Sequence, residues 1–214
     1  GPQIRIGPFD STLSSGGWGT GHVVGGTGWY VKDFMTPMEW TGKVVRLEFD
    51  GSYMDTTVWL NGTEVGKHPY GYTPFSVDLT KSLVPQGRHN VLAVRVRNLG
   101  VNTRWYAGSG LYRHVRLVVT NPIRIVQDGA FISTPKVAPG AATVKALIEI
   151  ANGSTEAAPL TLRLKVTGPG GSAGGKADLK GSVPAGGNKT FSIPVMVVSP
   201  RLWAPDSPVL YKAE

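Results

Sequence analysis

The chain has 214 residues, of which 29 are glycine, 16 are proline and none is cysteine, and its formal net charge is +8. That length suits two modest domains with separate cores; the lack of cysteine excludes disulfide frames and thiolate metal sites, and no run of about 18 apolar residues exists to form a membrane span, so no membrane partner is expected. The positive excess is spread over both halves, and the cluster Arg95, Arg97, Arg104, Arg113 and Arg116 mostly marks solvated strand faces, so no nucleic-acid partner is expected either.

Gly1 and Pro2 carry no structural weight, and the N-terminus lacks the basic, apolar and small-residue order of a signal peptide. Without cysteine the redox compartment stays open, and a periplasmic or secreted parent is compatible with the sequence. Ser11 to Thr27 is glycine-rich and contains Trp18 and His22. It lacks the Gly-Lys-Ser or Gly-Lys-Thr ending and the following helix of a phosphate cradle, so it is predicted to be a loop.

Trp29 to Met35 is the first predicted strand. In Val44 to Asp50, Val45, Leu47 and Phe49 share one face while Arg46, Glu48 and Asp50 share the other, which predicts a half-buried strand. Asp55 to Leu60 and Thr63 to Gly66 flank Asn61-Gly62, two residues that tolerate positive φ, and a type I′ hairpin is expected. Tyr70, Tyr72 and Phe75 beside Gly71 and Pro74 favour a packed corner over a stacking platform. Strands follow at Phe75 to Leu79, Asn90 to Arg97 and Tyr112 to Val119, with a polar and aromatic loop from Asn98 to Gly108. No helix of ordinary length is visible.

After Asn121-Pro122 the composition shifts to aliphatic alternation with glycine-rich turns, and of the tryptophans only Trp203 lies beyond it. A boundary near residue 124 divides the chain into 1–124 and 125–214. Val144 to Ile150, Leu160 to Val166, Gly175 to Gly181 and Lys189 to Val197 have the spacing of a small immunoglobulin-like sandwich. Leu160, Leu162, Leu164, Phe191, Ile193 and Val195 are its core candidates, and Gly168 to Gly175 is a flexible hairpin tip.

Asn102-Thr103-Arg104-Trp105-Tyr106 followed by Ala107-Gly108-Ser109-Gly110-Leu111-Tyr112-Arg113-His114-Val115 sets a polar and aromatic loop against a strand. This run resembles the end of the sugar-binding domain of glycoside hydrolase family 2. Gly7-Pro8-Phe9-Asp10, Gly28-Trp29-Tyr30, Val58-Trp59-Leu60-Asn61-Gly62 and Tyr70-Gly71-Tyr72-Thr73-Pro74-Phe75 match that domain in order. Trp203-Ala204-Pro205-Asp206-Ser207-Pro208-Val209-Leu210-Tyr211 resembles the close of the family's second domain. The closest flavour is that of bacterial β-galactosidases.

The resemblance implies an all-β chain, a jelly-roll sandwich followed by an immunoglobulin-like sandwich, with a catalytic TIM barrel expected beyond it. The barrel would supply both catalytic glutamates, so this chain is expected to contain no catalytic residue and to be inactive alone. Retaining hydrolysis needs two carboxyl groups about 5–5.5 Å apart; Glu48 and Asp50 share a strand face but read as solvated surface. Asp10, Asp33 and Asp55 read as turn and capping residues. An opening strand and a final strand are expected to be missing or cut, leaving sheet edges that could pair with a second copy.

By resemblance, Asn102, Arg104 and Trp105 face the sugar of a β-galactoside or related β-glycoside. Arg and Asn would donate to hydroxyls while Trp shapes the pocket. The alternative is that Arg104 pairs with a strand carboxylate and Trp105 plugs the end of the sandwich. Some family members place a carboxylate here at a sodium ion; Asn-Thr-Arg cannot supply one, and His22, His68, His89 and His114 are too scattered for metal ligands. No metal or cofactor is expected. A carbohydrate-binding module acting on its own is the rival reading, and an interaction scaffold the third.

Overall fold

A computed structural model describes residues 9–14, 16–84, 87–99 and 107–214. The chain divides into two compact units, Gly1–Thr120 and Asn121–Glu214. Among the described residues the structure is all-β apart from three short 3-10 turns, Gly17–Thr20, Met38–Trp40 and Pro169–Gly171. No helix there is long and apolar enough to cross a membrane.

The first unit contains strands β1 (Gly26–Met35), β2 (Val44–Phe49), β3 (Ser52–Tyr53), β4 (Thr56–Leu60), β5 (Thr63–His68), β6 (Phe75–Asp78), β7 (His89–Asn98), β8 (Gly110–Leu111) and β9 (Val115–Thr120). One sheet runs β1-β7-β4-β5, a second β6-β2-β9, and β3 pairs with β8 in a short ribbon. Alternation decides which face of each strand turns inward. Val45, Leu47 and Phe49 of β2 meet Val58 and Leu60 of β4 and Leu92, Val94 and Val96 of β7 in one buried core. Burying each Leu or Phe contributes about 1.5–3 kcal/mol. Phe49 lies flat on Phe75, with ring centroids 4.4 Å apart.

The hairpin at Asn61-Gly62 forms as expected, with φ of 54° and 82° and Leu60 opposite Thr63. Asn61 does more than turn the chain. Its Oδ1 accepts the Val91 N–H (2.9 Å), and its Nδ2 donates to Ser82 O and Asn90 Oδ1, both at 3.0 Å. Asn90 in turn is wholly buried. Its Oδ1 also accepts Val84 N–H (3.0 Å), while its Nδ2 donates to Thr36 Oγ1 (2.8 Å).

The predicted strand Tyr112 to Val119 needs correction. Only Val115 onward is strand, because the chain breaks out at Tyr112 so that its hydroxyl donates to Gly71 O (2.8 Å). Among the described residues, β1 and β9 are edge strands of their sheets. Tyr30 and Lys32 point to the core side of β1 yet are exposed, and an apolar groove of about 400 Å³ runs between Tyr30, Phe34, Leu92, Val94, Val115 and Leu117.

The second unit contains β10 (Ile123–Val137), β11 (Ala141–Asn152), β12 (Ala158–Thr167), β13 (Ala173–Val183), β14 (Asn188–Val198) and β15 (Lys212–Ala213). Sheets β10-β11-β14 and β13-β12-β15 enclose Val144, Ala146, Leu164, Val166, Ile193, Val195 and Val197. Ile150, Val183 and Phe191 extend that core. Leu164, Phe191, Ile193 and Val195 are buried, and Leu160 and Leu162 pack partly buried against them. Strand β10 escapes the periodicity because its register shifts between Ile125 and Ala130, at Asp128 with φ 55°.

Candidate functional site

Strand pairing gathers four loops at one end of the first unit. Gly26 opposes Asn98, Tyr53 opposes Gly110, Thr56 opposes His68, and Phe49 opposes Val115. The described residues of 9–25, 50–55, 69–74 and 107–114 therefore lie at this end together. Ala107 and Ser109 are held by Asn98, which is 6 % exposed. The Asn98 amide donates to Ala107 O (3.0 Å) and Ser109 Oγ (2.9 Å). Tyr30 reaches across from β1, its hydroxyl accepting the Leu111 N–H at 3.2 Å. Beside it lies a concavity of about 210 Å³, walled by the glycine backbone of Gly25, Gly26, Gly28 and Gly110 with Tyr30 and Ser109.

A tyrosine cluster builds the neighbouring wall. Tyr53 is buried and meets Tyr72 edge-on at 5.1 Å, and Tyr72 meets Tyr70 at 5.7 Å. Gly71 is required here because a Cβ would sit 2.1 Å from the Tyr53 ring. Tyr70 and Tyr72 stay more than half exposed, so the corner is packed at its base and open at its rim. Burial, helped by the hydrogen bond with Tyr72, pushes the Tyr53 phenol up, which keeps it a neutral packing group.

Among the described residues at this end, Asp50 and Asp55 are engaged with cations. Asp50 accepts from Arg116 at 2.7 Å and has His114 Nδ1 at 3.6 Å. The Arg116 hydrogen bond holds the Asp50 carboxyl below its usual range. A general acid needs the opposite shift. Glu48 pairs with Arg46 at 2.9 Å, and Asp55 lies 3.6 Å from Arg97. Asp10 accepts Thr12 N–H, Thr12 Oγ1 and Leu13 N–H, a turn-capping role. Among the described residues no cluster of three or more His, Cys, Asp or Glu could hold a metal.

Asn102, Arg104 and Trp105 lie outside the described residues. The structure fixes both ends of the segment that carries them. Sequence reading missed Asn98, Tyr30 and Ser109 as its anchors. Asn98 merely ends an alternating strand, and nothing local distinguishes a buried anchoring amide from a capping one.

The family pattern described as "Glycosyl hydrolases family 2, sugar binding domain" matches residues 20–122, and "Glycosyl hydrolases family 2" matches residues 125–214. The β-galactosidase BoGH2A of Bacteroides ovatus is 38% identical over 196 residues, which are 91% of this chain and 23% of that protein. A β-glucuronidase of Bacteroides fragilis is 29% identical, over 87% of this chain and 28% of its own length. The crystal structure of a glycosyl hydrolase family 2 member from Bacteroides cellulosilyticus superposes with a TM-score of 0.88 at 33% identity, covering 99% of this chain and 27% of that one. The chain thus spans less than a third of the length of these relatives.

Proposed function

Because the chain belongs to glycoside hydrolase family 2, we propose that it is the non-catalytic N-terminal portion of a retaining β-glycosidase and helps to shape the sugar subsite. The observation that carries this reading is the end of the first unit, where Asn98 bonds to Ala107 and Ser109 and Tyr30 to Leu111, beside the tyrosine corner. Asn102, Arg104 and Trp105 are the residues of that segment we assign to the sugar. The relatives' names, β-galactosidase and β-glucuronidase, support reading the sugar as that of a β-galactoside or related β-glycoside. Both carboxylates of the double displacement would come from the barrel of the parent enzyme.

In an enzyme carrying this chain, Arg104→Ala is expected to lower kcat/KM for the preferred β-glycoside about 10- to 100-fold, the loss of one charged hydrogen bond. The 214-residue chain alone is expected to leave p-nitrophenyl β-galactoside and β-glucuronide intact. Turnover by the chain alone, or an unchanged kcat/KM in the Arg104 variant, sinks the reading.

We propose a second copy of the chain as a partner at the edge of β1 and β9, where, among the described residues, strand edges without a neighbour flank the apolar groove. Light scattering of the 214-residue chain should show its mass rising toward a dimer with concentration. A constant monomer mass up to millimolar concentration rejects the pairing.

A further inference from the structure

We propose that the outer face of sheet β1-β7-β4-β5 docks a second copy of this chain, around a twofold axis that crosses the strands at the pair of Val31 and Ala93. The contact is separate from the pairing at the β1 and β9 edge, which uses backbone groups and the groove on the core side of β1. Alternation turns Tyr30 toward the core and Trp29, Val31, Asp33 and Met35 outward. Trp29 is 57%, Val31 65% and Met35 51% exposed, and Val91, opposite Asp33 on β7, is 43% exposed. A lone exposed aliphatic is ordinary, but a contiguous apolar strip on one sheet face marks an interaction surface.

Within the strip the large side chains hold one another in place. Trp29 lies against Trp59 of β4, ring centroids 5.3 Å apart at 31°. Register sets Trp29, Arg95 and Thr57 side by side on three strands. The Arg95 Nη2 donates to Thr57 Oγ1 (3.0 Å), and its Cζ stands 5.4 Å from the Trp59 ring centroid. Its Nε is shielded from solvent without a hydrogen-bond partner. Among the described residues no carboxylate answers this charge, since Asp55 goes to Arg97 and Glu64 to Lys67. A tryptophan pair with an arginine held against it and aliphatic side chains around it has the composition of a protein-docking centre. The Trp59 ring is taken up by its neighbours, and the outward aliphatics offer a sugar no hydrogen bonds.

Charge selects the occupant. Asp33, exposed on the same face, also has no ion-pair partner among the described residues. The register pairs Trp29 with Arg95, Val31 with Ala93, and Asp33 with Val91. Arg95 therefore lies one outward-facing pair to one side of Val31 and Ala93, and Asp33 lies one such pair to the other side, on the neighbouring strand. A twofold axis lying in the interface across the strands at Val31 and Ala93 exchanges these two positions. Arg95 of each copy then meets Asp33 of the other, and the two Val31 side chains meet at the axis. The face is its own complement, as an isologous interface requires. Four strands at about 4.8 Å spacing and up to ten residues at about 3.4 Å rise give roughly 500 Å² per copy, near the lower bound for specific association. The dimer is therefore expected to be weak, with apolar burial supplying affinity and the two ion pairs fixing the register.

The test is sedimentation equilibrium of the 214-residue chain from micromolar to millimolar concentration, with Arg95→Asp, Asp33→Arg and their equimolar mixture beside it. Each substitution alone sets like charges against one another at both contacts and should weaken self-association about tenfold. Mixed, the two variants restore opposite charges at both contacts, and the heterodimer should be about as tight as the parent dimer. Arg95 is half-buried, so Val31→Glu, on the exposed side of an edge strand, is the second probe and decides alone if Arg95→Asp does not fold. It brings two carboxylates together at the axis and should also weaken the dimer about tenfold. A monomer at every concentration overturns the proposal. A dimer of unchanged strength in every variant overturns it too, and places the pairing at the β1 and β9 edge instead. Weakening in both charge variants without recovery in their mixture overturns the twofold contact of Arg95 with Asp33.

Discussion

Asn90→Leu is expected to lower the stability of the first unit by about 3–4 kcal/mol, although the substitution is close to isosteric and adds apolar character. Asn90 is wholly buried and joins three parts of the chain: Asn61 in the hairpin, Val84 after β6, and Thr36 after β1. Leucine leaves the Val84 N–H without its acceptor in a place water does not reach, which costs about 1–3 kcal/mol, and the lost bonds to Asn61 and Thr36 add about 0.5–1.5 kcal/mol each. The gain from a leucine side chain offsets part of that. Urea unfolding followed by tryptophan fluorescence is the appropriate readout, because five of the six tryptophans lie in this unit. A loss under 1 kcal/mol would show that the buried amide is replaceable and that the hairpin is held by its turn and by the bonds of Asn61 to Val91 and Ser82.

That residue also marks where sequence reading stops. Alternation made β2, β7, β11, β12 and β14 legible, because each has a drier and a wetter face, whereas β4 is dry on both faces and was legible from the turn that ends it. Asn61-Gly62 declared its turn through positive φ. Neither signal says that Asn61 and Asn90 bond to each other across 29 positions, since a polar residue at a strand start reads equally well as solvated. Strand β10 was invisible for another reason: its bulge at Asp128 changes the phase of alternation midway, and Phe131 and Ile132 on it are both exposed. The short β3 and β8 ribbon has two residues per strand and no period to read. The same holds at the functional end. The sequence named the loop through its Arg-Trp-Tyr run, but the anchors Asn98, Tyr30 and Tyr53 become recognisable only when three strands and a ribbon meet.

Asn98→Asp is expected to loosen segment 99–109 as much as Asn98→Ala or more, and in an enzyme carrying this chain both are expected to raise KM for the glycoside about tenfold. The side chain is nearly buried and its amide donates to both Ala107 O and Ser109 Oγ. Alanine removes the donor and leaves the Ala107 carbonyl short of a partner, for about 2 kcal/mol. Aspartate keeps the volume but has only acceptors to offer, so it turns attraction to the carbonyl into repulsion and must also bury a charge. The pair of variants therefore separates hydrogen bonding from packing: a packing role predicts that aspartate is mild and alanine severe, an anchoring role the reverse order. Hydrogen exchange at the Gly110 and Leu111 amides reads the anchor directly, because these residues pair with Tyr53 and Ser52 and the Leu111 N–H also meets Tyr30. Protection there should fall in both variants while β2 and β4 keep theirs. The KM effect follows from our proposal that Asn102, Arg104 and Trp105 contact the sugar, which they would do only from a fixed position, and a tenfold change corresponds to about 1.4 kcal/mol of that positioning. Wild-type protection at Gly110 in the aspartate variant would detach Asn98 from the loop, and the sugar subsite would then need another anchor.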